Sequence, residues 1–233
     1  MTHLKQILAL LLLSFIIISC DKNEENPTTS TPELSQKEKV ALFFKAVNER
    51  DVATLEELVT EDYIQHNPFI PTGRDPFIGL LTTVLEDNGT KVENIRILEE
   101  GNFVAIHNLW TNAAPFGADT VVSFDILRFD ENGKIAEHWD ALQTWEFPTV
   151  NGNTMTDGPT AITNLNETES NKALAINIIQ DVLMGQNPSN ITNSNAFYDL
   201  FRMENGKAVE HWDVIQPVPT TGLANNNGMF GGF

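Results

Sequence analysis

The sequence predicts an α+β fold, with N-terminal helices laid over one face of a curved antiparallel sheet and an incomplete second helix-plus-hairpin copy behind it. Three observations carry this. Apolar residues recur at helical spacing over residues 36–85. From Lys91 they alternate at the period of strands. And FDILRFDENGKIAEHWDALQ (124–143) returns as YDLFRMENGKAVEHWDVIQ (198–216), with one residue dropped before Glu204. Chance does not produce that, so the chain holds an internal duplication.

The first element is not part of the fold. After Lys5, an apolar run over 7–19 ends in Ile17-Ile18-Ser19-Cys20. Thirteen residues are too few to span a hydrocarbon core about 30 Å thick as a helix. A basic start, a short apolar stretch and a small residue before the cut mark a secretory signal over 1–20. Its end resembles a bacterial lipobox, in which the cysteine becomes the lipidated first residue, so Cys20 is expected to anchor the chain at the cell-envelope membrane. It is the only cysteine, which leaves no internal disulfide. Residues 21–35 are polar and Pro/Thr-rich, a flexible tether. A formal net charge of −18 argues against nucleic acid as a partner and leaves membrane contact to the lipid.

The main domain is expected over 36–148. Ser35 with Glu38 three residues on is a capping box, and Val40, Phe43, Phe44 and Val47 follow as one helical face. A second helix covers 52–59. The stretch 63–68, Tyr-Ile-Gln-His-Asn-Pro, is expected to be irregular, because Asn-Pro turns the chain. A third helix is expected over 75–85, capped by Asp75 with Pro76 in its first turn. Strands follow at 92–98 and 103–111, then a hairpin of 120–129 with 134–145 around Asp130-Glu131-Asn132-Gly133. Residues 149–168 are a Gly/Asn/Thr-rich linker. The second copy, 169–219, has an amphipathic helix over 169–184 and a hairpin but lacks the middle of the first. Residues 220–233 read as an irregular tail.

Alternation along the hairpin places Asp125, His138 and Asp140 on one face, with Phe124, Ile126 and Trp139 on the other. Pairing across a four-residue turn sets Asp125 opposite His138; a two-residue turn shifts the partners but keeps the face. Two carboxylates beside an imidazole fix its tautomer and raise its pKa, and a carboxylate in an apolar cavity can act as a base near neutral pH. The same cluster could equally be a hydrogen-bonded network that fixes the hairpin. His66 stands either in a pocket or at a surface turn. His107 and Trp110 face opposite sides of their strand, and parity does not say which lines a cavity. No metal-ligand spacing, phosphate loop or nucleophile elbow occurs.

Tyr-Ile-Gln-His-Asn-Pro after the second helix, together with Gly-Lys-Ile-Ala-Glu-His-Trp-Asp, resembles the SnoaL-like polyketide cyclase family of the nuclear transport factor 2-like superfamily. The resemblance covers 35–147, with 169–230 as a second copy lacking its middle. It implies a cone-like barrel with an internal pocket and cofactor-free chemistry in which an acidic residue abstracts a proton from the substrate. Asp140 matches the end of the motif and is carried over as base, with His138 and Asp125 beside it. His66, Tyr63, Asn67 and Trp110 are the expected contacts to a small apolar or aromatic ligand. A homodimer through the apolar sheet face is expected by the same resemblance. The function expected is that of a cell-envelope lipoprotein with a small-molecule pocket, either a lyase, cyclase or isomerase or a non-catalytic binding or assembly module.

Overall fold

Helix α1 (Gln36–Glu49) begins where the capping box places it. Ser35 Oγ accepts the Glu38 N–H at 3.2 Å, and the Ser35 N–H donates to Glu38 Oε2 at 2.8 Å. It ends at Arg50 in the left-handed region, φ 59°. The computed structural model to which these elements belong describes residues 33–183 and 195–232. The signal over 1–20, Cys20 and most of the tether therefore lie outside the described residues, as does the end of the 169–184 helix. Helix α2 (Val52–Leu58) is capped by Asp51, whose carboxylate accepts the Thr54 N–H at 3.2 Å.

Only 66–68 of the stretch expected to be irregular is so: residues 63–65 belong to a strand, β1 (Val59–Gln65), running parallel to the last strand of the main sheet. Its alternation was masked by Glu61 and Asp62, which face outward while Val59, Tyr63 and Gln65 are buried. The third helix starts one residue early: α3 spans Arg74–Leu80 with Gly73 as its N-cap, and Asp75 makes no cap. It widens into a π-helical turn over Leu81–Leu85 and closes with α4 (Glu86–Asn88). Leu81 and Leu85 on the wide turn point into the core.

The sheet proper comprises β2 (Lys91–Glu100), β3 (Phe103–Thr111), β4 (Thr120–Phe129) and β5 (Ile135–Thr144), in the order β1-β5-β4-β3-β2, antiparallel except for the β1–β5 pair. The helices bury Val40, Phe43, Phe44, Val47, Leu55 and Phe77 against one face of it, the main core. At ~25 cal/mol per Å² of apolar surface, such side chains contribute roughly 1.5–3 kcal/mol each.

The hairpin register differs from the simple four-residue turn. A β-bulge between Arg128 and Phe129 pairs Arg128 with Glu137 but Phe129 with Ile135, which leaves Ala136 as the extra residue. Asp125 consequently sits across from Asp140, and His138 across from Leu127. The face assignment survives this shift.

Beyond the linker, α5 (Thr168–Asn177) carries an apolar stripe that is only half-buried, with Ile176 exposed. The second hairpin, β6 (Asn195–Glu204) and β7 (Lys207–Pro217), forms its own two-stranded sheet. It packs on the outer face of the main sheet, where Val122, Phe124 and Ala141 meet Ala196, Trp212 and Val214, joined by Met229 of the tail. Ile126 stays only partly buried. From Leu34 onward the chain is one compact unit. The sheet face assigned to a homodimer is thus covered by the chain's own second hairpin, and a second protomer would have to displace it.

Candidate functional site

Strands β4 and β5 deliver three polar side chains to the helix-facing side of the sheet, in the middle of an otherwise apolar core. Asp125, His138 and Asp140 are each buried. His138 Nε2 lies 2.9 Å from Asp125 Oδ1. Asp125 Oδ2 accepts from Asn108 Nδ2 at 2.8 Å and from the Ser123 hydroxyl, which in turn accepts the Trp110 indole N–H at 2.9 Å. Asp125 is therefore filled with donors, and with it as acceptor the His138 proton sits on Nε2. Asp140 is held differently. Its Oδ2 accepts from Asn67 Nδ2 at 2.9 Å, while Oδ1 is buried with no hydrogen-bond partner. His138 Nδ1 is likewise buried and unpartnered.

Asp140, His138 and Asp125, with Gln65, line a cavity whose other walls are largely apolar, built by Phe43, Tyr63, Phe77, Leu81 and Trp110 among others. The free volume is about 40 Å³. That holds water but not a ligand of ordinary size, whose pockets run about 300–1,000 Å³.

The surroundings set the protonation chemistry. Burial pushes the Asp140 carboxyl up to about 6; the neighbouring His138 charge opposes this, Asp125 adds to it, and the Asn67 hydrogen bond opposes it. Burial alone would lower the His138 pKa, but the Asp125 hydrogen bond and the charges of Asp140 and Asp125 raise it. Burial, reinforced by those two carboxylates, lifts Tyr63 well above the ordinary phenol range. The cluster is an acid–base group. Its three ligand-type atoms also lie within 4.8 Å of one another, close enough to hold a metal ion, a grouping hidden from spacing rules because it joins two strands.

Of the expected ligand contacts, Tyr63 and Trp110 line the cavity and Asn67 reaches Asp140. His66 does not. It lies on the opposite side of the sheet, stacked on Trp139 with ring centroids 4.8 Å apart, its Nε2 2.8 Å from Glu137 Oε1 and its Nδ1 2.7 Å from the Gly228 carbonyl. The pairing with β5 continues one residue past the end of β1, the His66 N–H donating to the His138 carbonyl at 2.9 Å, so His66 and Asn67 diverge to opposite faces. His107 also faces outward, against Phe124 and Arg96. Sequence reasoning missed Asn108 and Ser123; their parity with Asp125 along paired strands was the available signal.

The family-model comparison agrees with the motif. Residues 40–138 match the family model described as SnoaL-like domain. The match ends inside β5 and does not reach β6–β7, so the second copy stands as a repeat of sequence and hairpin geometry alone. No curated protein matches the chain. Among solved structures, IdmH from Streptomyces antibioticus is 21% identical over 47% of this chain and 93% of its own, with a TM-score of 0.41. A SnoaL-like polyketide cyclase from Agrobacterium tumefaciens is 13% identical over 48% and 93%, TM-score 0.40. An NTF2-like protein from Cytophaga hutchinsonii is 15% identical over 48% and 92%, TM-score 0.41.

Proposed function

We propose that residues 36–148 hold a small apolar or aromatic ligand in the helix-side cavity, and that Asp140 and His138 move a proton on it without a cofactor. The observation that supports this is the pair of unpartnered buried atoms, Asp140 Oδ1 and His138 Nδ1, on neighbouring inward positions beside an apolar wall. An unsatisfied buried polar atom costs roughly 1–3 kcal/mol, so two together mark a place where a ligand's polar group is missing. In this reading the Asp140 carboxylate takes a proton from a carbon next to a carbonyl. The electron pair of that C–H bond moves onto the carbonyl oxygen, and the Nδ1–H of protonated His138 donates to it. Asp125 keeps the imidazole oriented through Nε2. A carboxyl with a pKa of about 6 is matched to such work near neutral pH. This is lyase, cyclase or isomerase chemistry. Partly buried Phe116 and Leu142 at the cavity wall are the side chains that would yield on ligand entry. The chain works at the bacterial cell envelope, carried there by lipid on Cys20, with 21–35 as tether and 149–168 linking the main domain to the second copy.

A second reading, a non-catalytic binding or assembly module, is favoured by the small free volume. Mass spectrometry of the mature protein under native conditions identifies any ligand retained on purification. That ligand is then incubated with protein in D₂O. The catalytic reading expects deuterium at a carbon of the ligand with the wild type and none with Asp140→Asn, with ligand still retained. Retention without exchange in the wild type would give the site to the module reading.

A further inference from the structure

The two EHWD hairpins touch each other reciprocally. Gln143 and Gln216 close the repeated stretch at equivalent positions. The Leu142 N–H donates to Gln216 Oε1 at 2.7 Å, and the N–H of its counterpart Ile215 donates to Gln143 Oε1 at 2.9 Å. The loops trailing the two hairpins cross over in the same way. Trp212 donates its indole N–H to the Asp157 carbonyl at 2.9 Å, and Trp139 donates to the Gly231 carbonyl at 2.6 Å. The next residue is in each case a glycine with φ near 90°, pressed onto the other copy's Glu and Trp. A Cβ at Gly158 would come within 2.6 Å of Glu210 Oε1, and one at Gly232 within 2.5 Å of Glu137 Oε1. Contacts in which i meets j and j meets i define the isologous interface of a two-fold dimer. Here both halves lie in one chain.

The symmetry then breaks in favour of the first copy. The tail of the second copy runs on as a strap over the loop between β1 and α3. The Ala224 N–H donates to the Pro68 carbonyl at 2.7 Å. Asn225 Nδ2 donates to the carbonyls of Asn67 and Ile70 at 2.7 and 2.9 Å, and Asn227 Nδ2 to that of Gln65 at 2.8 Å. This is the loop whose Asn67 holds Asp140 Oδ2. The second copy has no counterpart of that loop. Over its Trp212 lies Arg96 instead, 4.0 Å from the ring centroid, donating to the Asp157 carbonyl at 2.6 Å.

We propose that the second copy acts as a built-in partner subunit, whose closing strap, through Asn225 and Asn227, positions Asn67 against Asp140. Three backbone carbonyls of this short loop, and that of Gln65 at the end of β1, are satisfied by the strap, so the strap braces the loop beside its own internal hydrogen bonds. The proposal takes from the proposed function only that Asp140 is the working carboxyl; the strap's geometry is independent of that. The other titratable groups around Asp140 are His138, Asp125, Tyr63 and, from the second copy, Tyr198. The strap itself brings none within the described residues.

The test follows the Asp140 carboxyl by carbon-13 NMR through a pH titration of the full mature chain. Removing the Asn67 hydrogen bond should move its midpoint upward by about one unit. Asn225→Ala with Asn227→Ala is expected to give the same upward shift as Asn67→Ala, and combining all three to give no more than either. A strap variant that keeps the wild-type amide spectrum of α1 and β3 and titrates like wild type overturns the proposal, as does a shift that simply adds to that of Asn67→Ala. Should the double variant not fold, Asn225→Ala alone and Gly232→Ala are read in the same way. Failure of the proposed function shows separately, as unchanged ligand exchange in Asp140→Asn, and leaves the strap result standing.

Discussion

Asp125 stands directly across from Asp140 in the β4–β5 ladder, yet it binds the imidazole of His138, two residues back along β5. Facing carboxylates repel, and this pair tolerates its proximity because Asp125 is saturated by Asn108, Ser123 and His138 while Asp140 is only half satisfied. The repulsion and burial together lift Asp140 to about 6. The bulge at Arg128–Phe129 sets this arrangement, since without its extra residue the Phe129–Ile135 register would bring Trp139 rather than Asp140 opposite Asp125.

A stability signature follows. The folded pKa of Asp140, about 6, lies above its unfolded value of 3.8, so the folded state holds the proton more tightly. The stability this proton confers is present at low pH and is lost as pH rises from about 4 through 6. Two units correspond to ~2.7 kcal/mol. Asp140→Asn should therefore gain roughly 2–3 kcal/mol over wild type on going from pH 4 to pH 7.5, measured by urea unfolding at each pH. Parallel stability profiles for the two proteins would refute the raised pKa.

His107 slopes the other way. Burial and the Arg96 charge depress it to about 4, with Asp125 opposing. Its neutral ring stabilises the fold above pH 6.5, and that contribution is lost as pH falls toward 4. His107→Gln, which keeps an acceptor for Arg96, should lose ~2–3 kcal/mol less than wild type between pH 7 and pH 4.5. The two slopes overlap and partly cancel in the wild type, so the variants, not the wild-type profile, reveal each. An acid limb unchanged by the substitution would count against a neutral buried His107.

How much of this could be read from the chain turns on the range of each signal. Strand period and face are local, so the hairpin's alternation places Asp125, His138 and Asp140 together whatever the register. Register is not local: the bulge at Ala136 inserts one residue that no turn rule announces. The parallel β1–β5 pairing joins residues about seventy apart in sequence, and Glu61 and Asp62 on its open side hid the strand. Missing that strand put His66 on the wrong face. The tail carried no periodic signal because its bonds come from backbone groups and Asn amides, as with Asn225 and Asn227.

The second hairpin depends on its docking. Two strands alone bury too little to persist. Trp212 is its main anchor, buried against the sheet, stacked under Arg96 and bonded to Asp157. Trp212→Ala should cost roughly 3–5 kcal/mol and free β6–β7 to exchange amide protons rapidly, while β3 and β4 stay protected. Protection of β6–β7 equal to wild type in this variant would mean the hairpin holds by itself.

Lipid attachment is the last expectation open to test, and it rests on Ile17-Ile18-Ser19-Cys20 following a short apolar run. Among the described residues no helix is long and apolar enough to cross a membrane; the membrane contact proposed here is through Cys20. Acyl chains contribute ~0.8 kcal/mol per buried CH₂, and one chain alone holds only weakly, which is why stable anchors combine more than one. A net charge of −18 disfavours a second attachment by electrostatics to anionic lipid. Cys20→Ala should abolish incorporation of labelled palmitate and shift the protein from the membrane to the soluble fraction of expressing bacteria. A Cys20→Ala protein that loses the label but still sediments with membranes would show that lipid on Cys20 is not what holds the chain there.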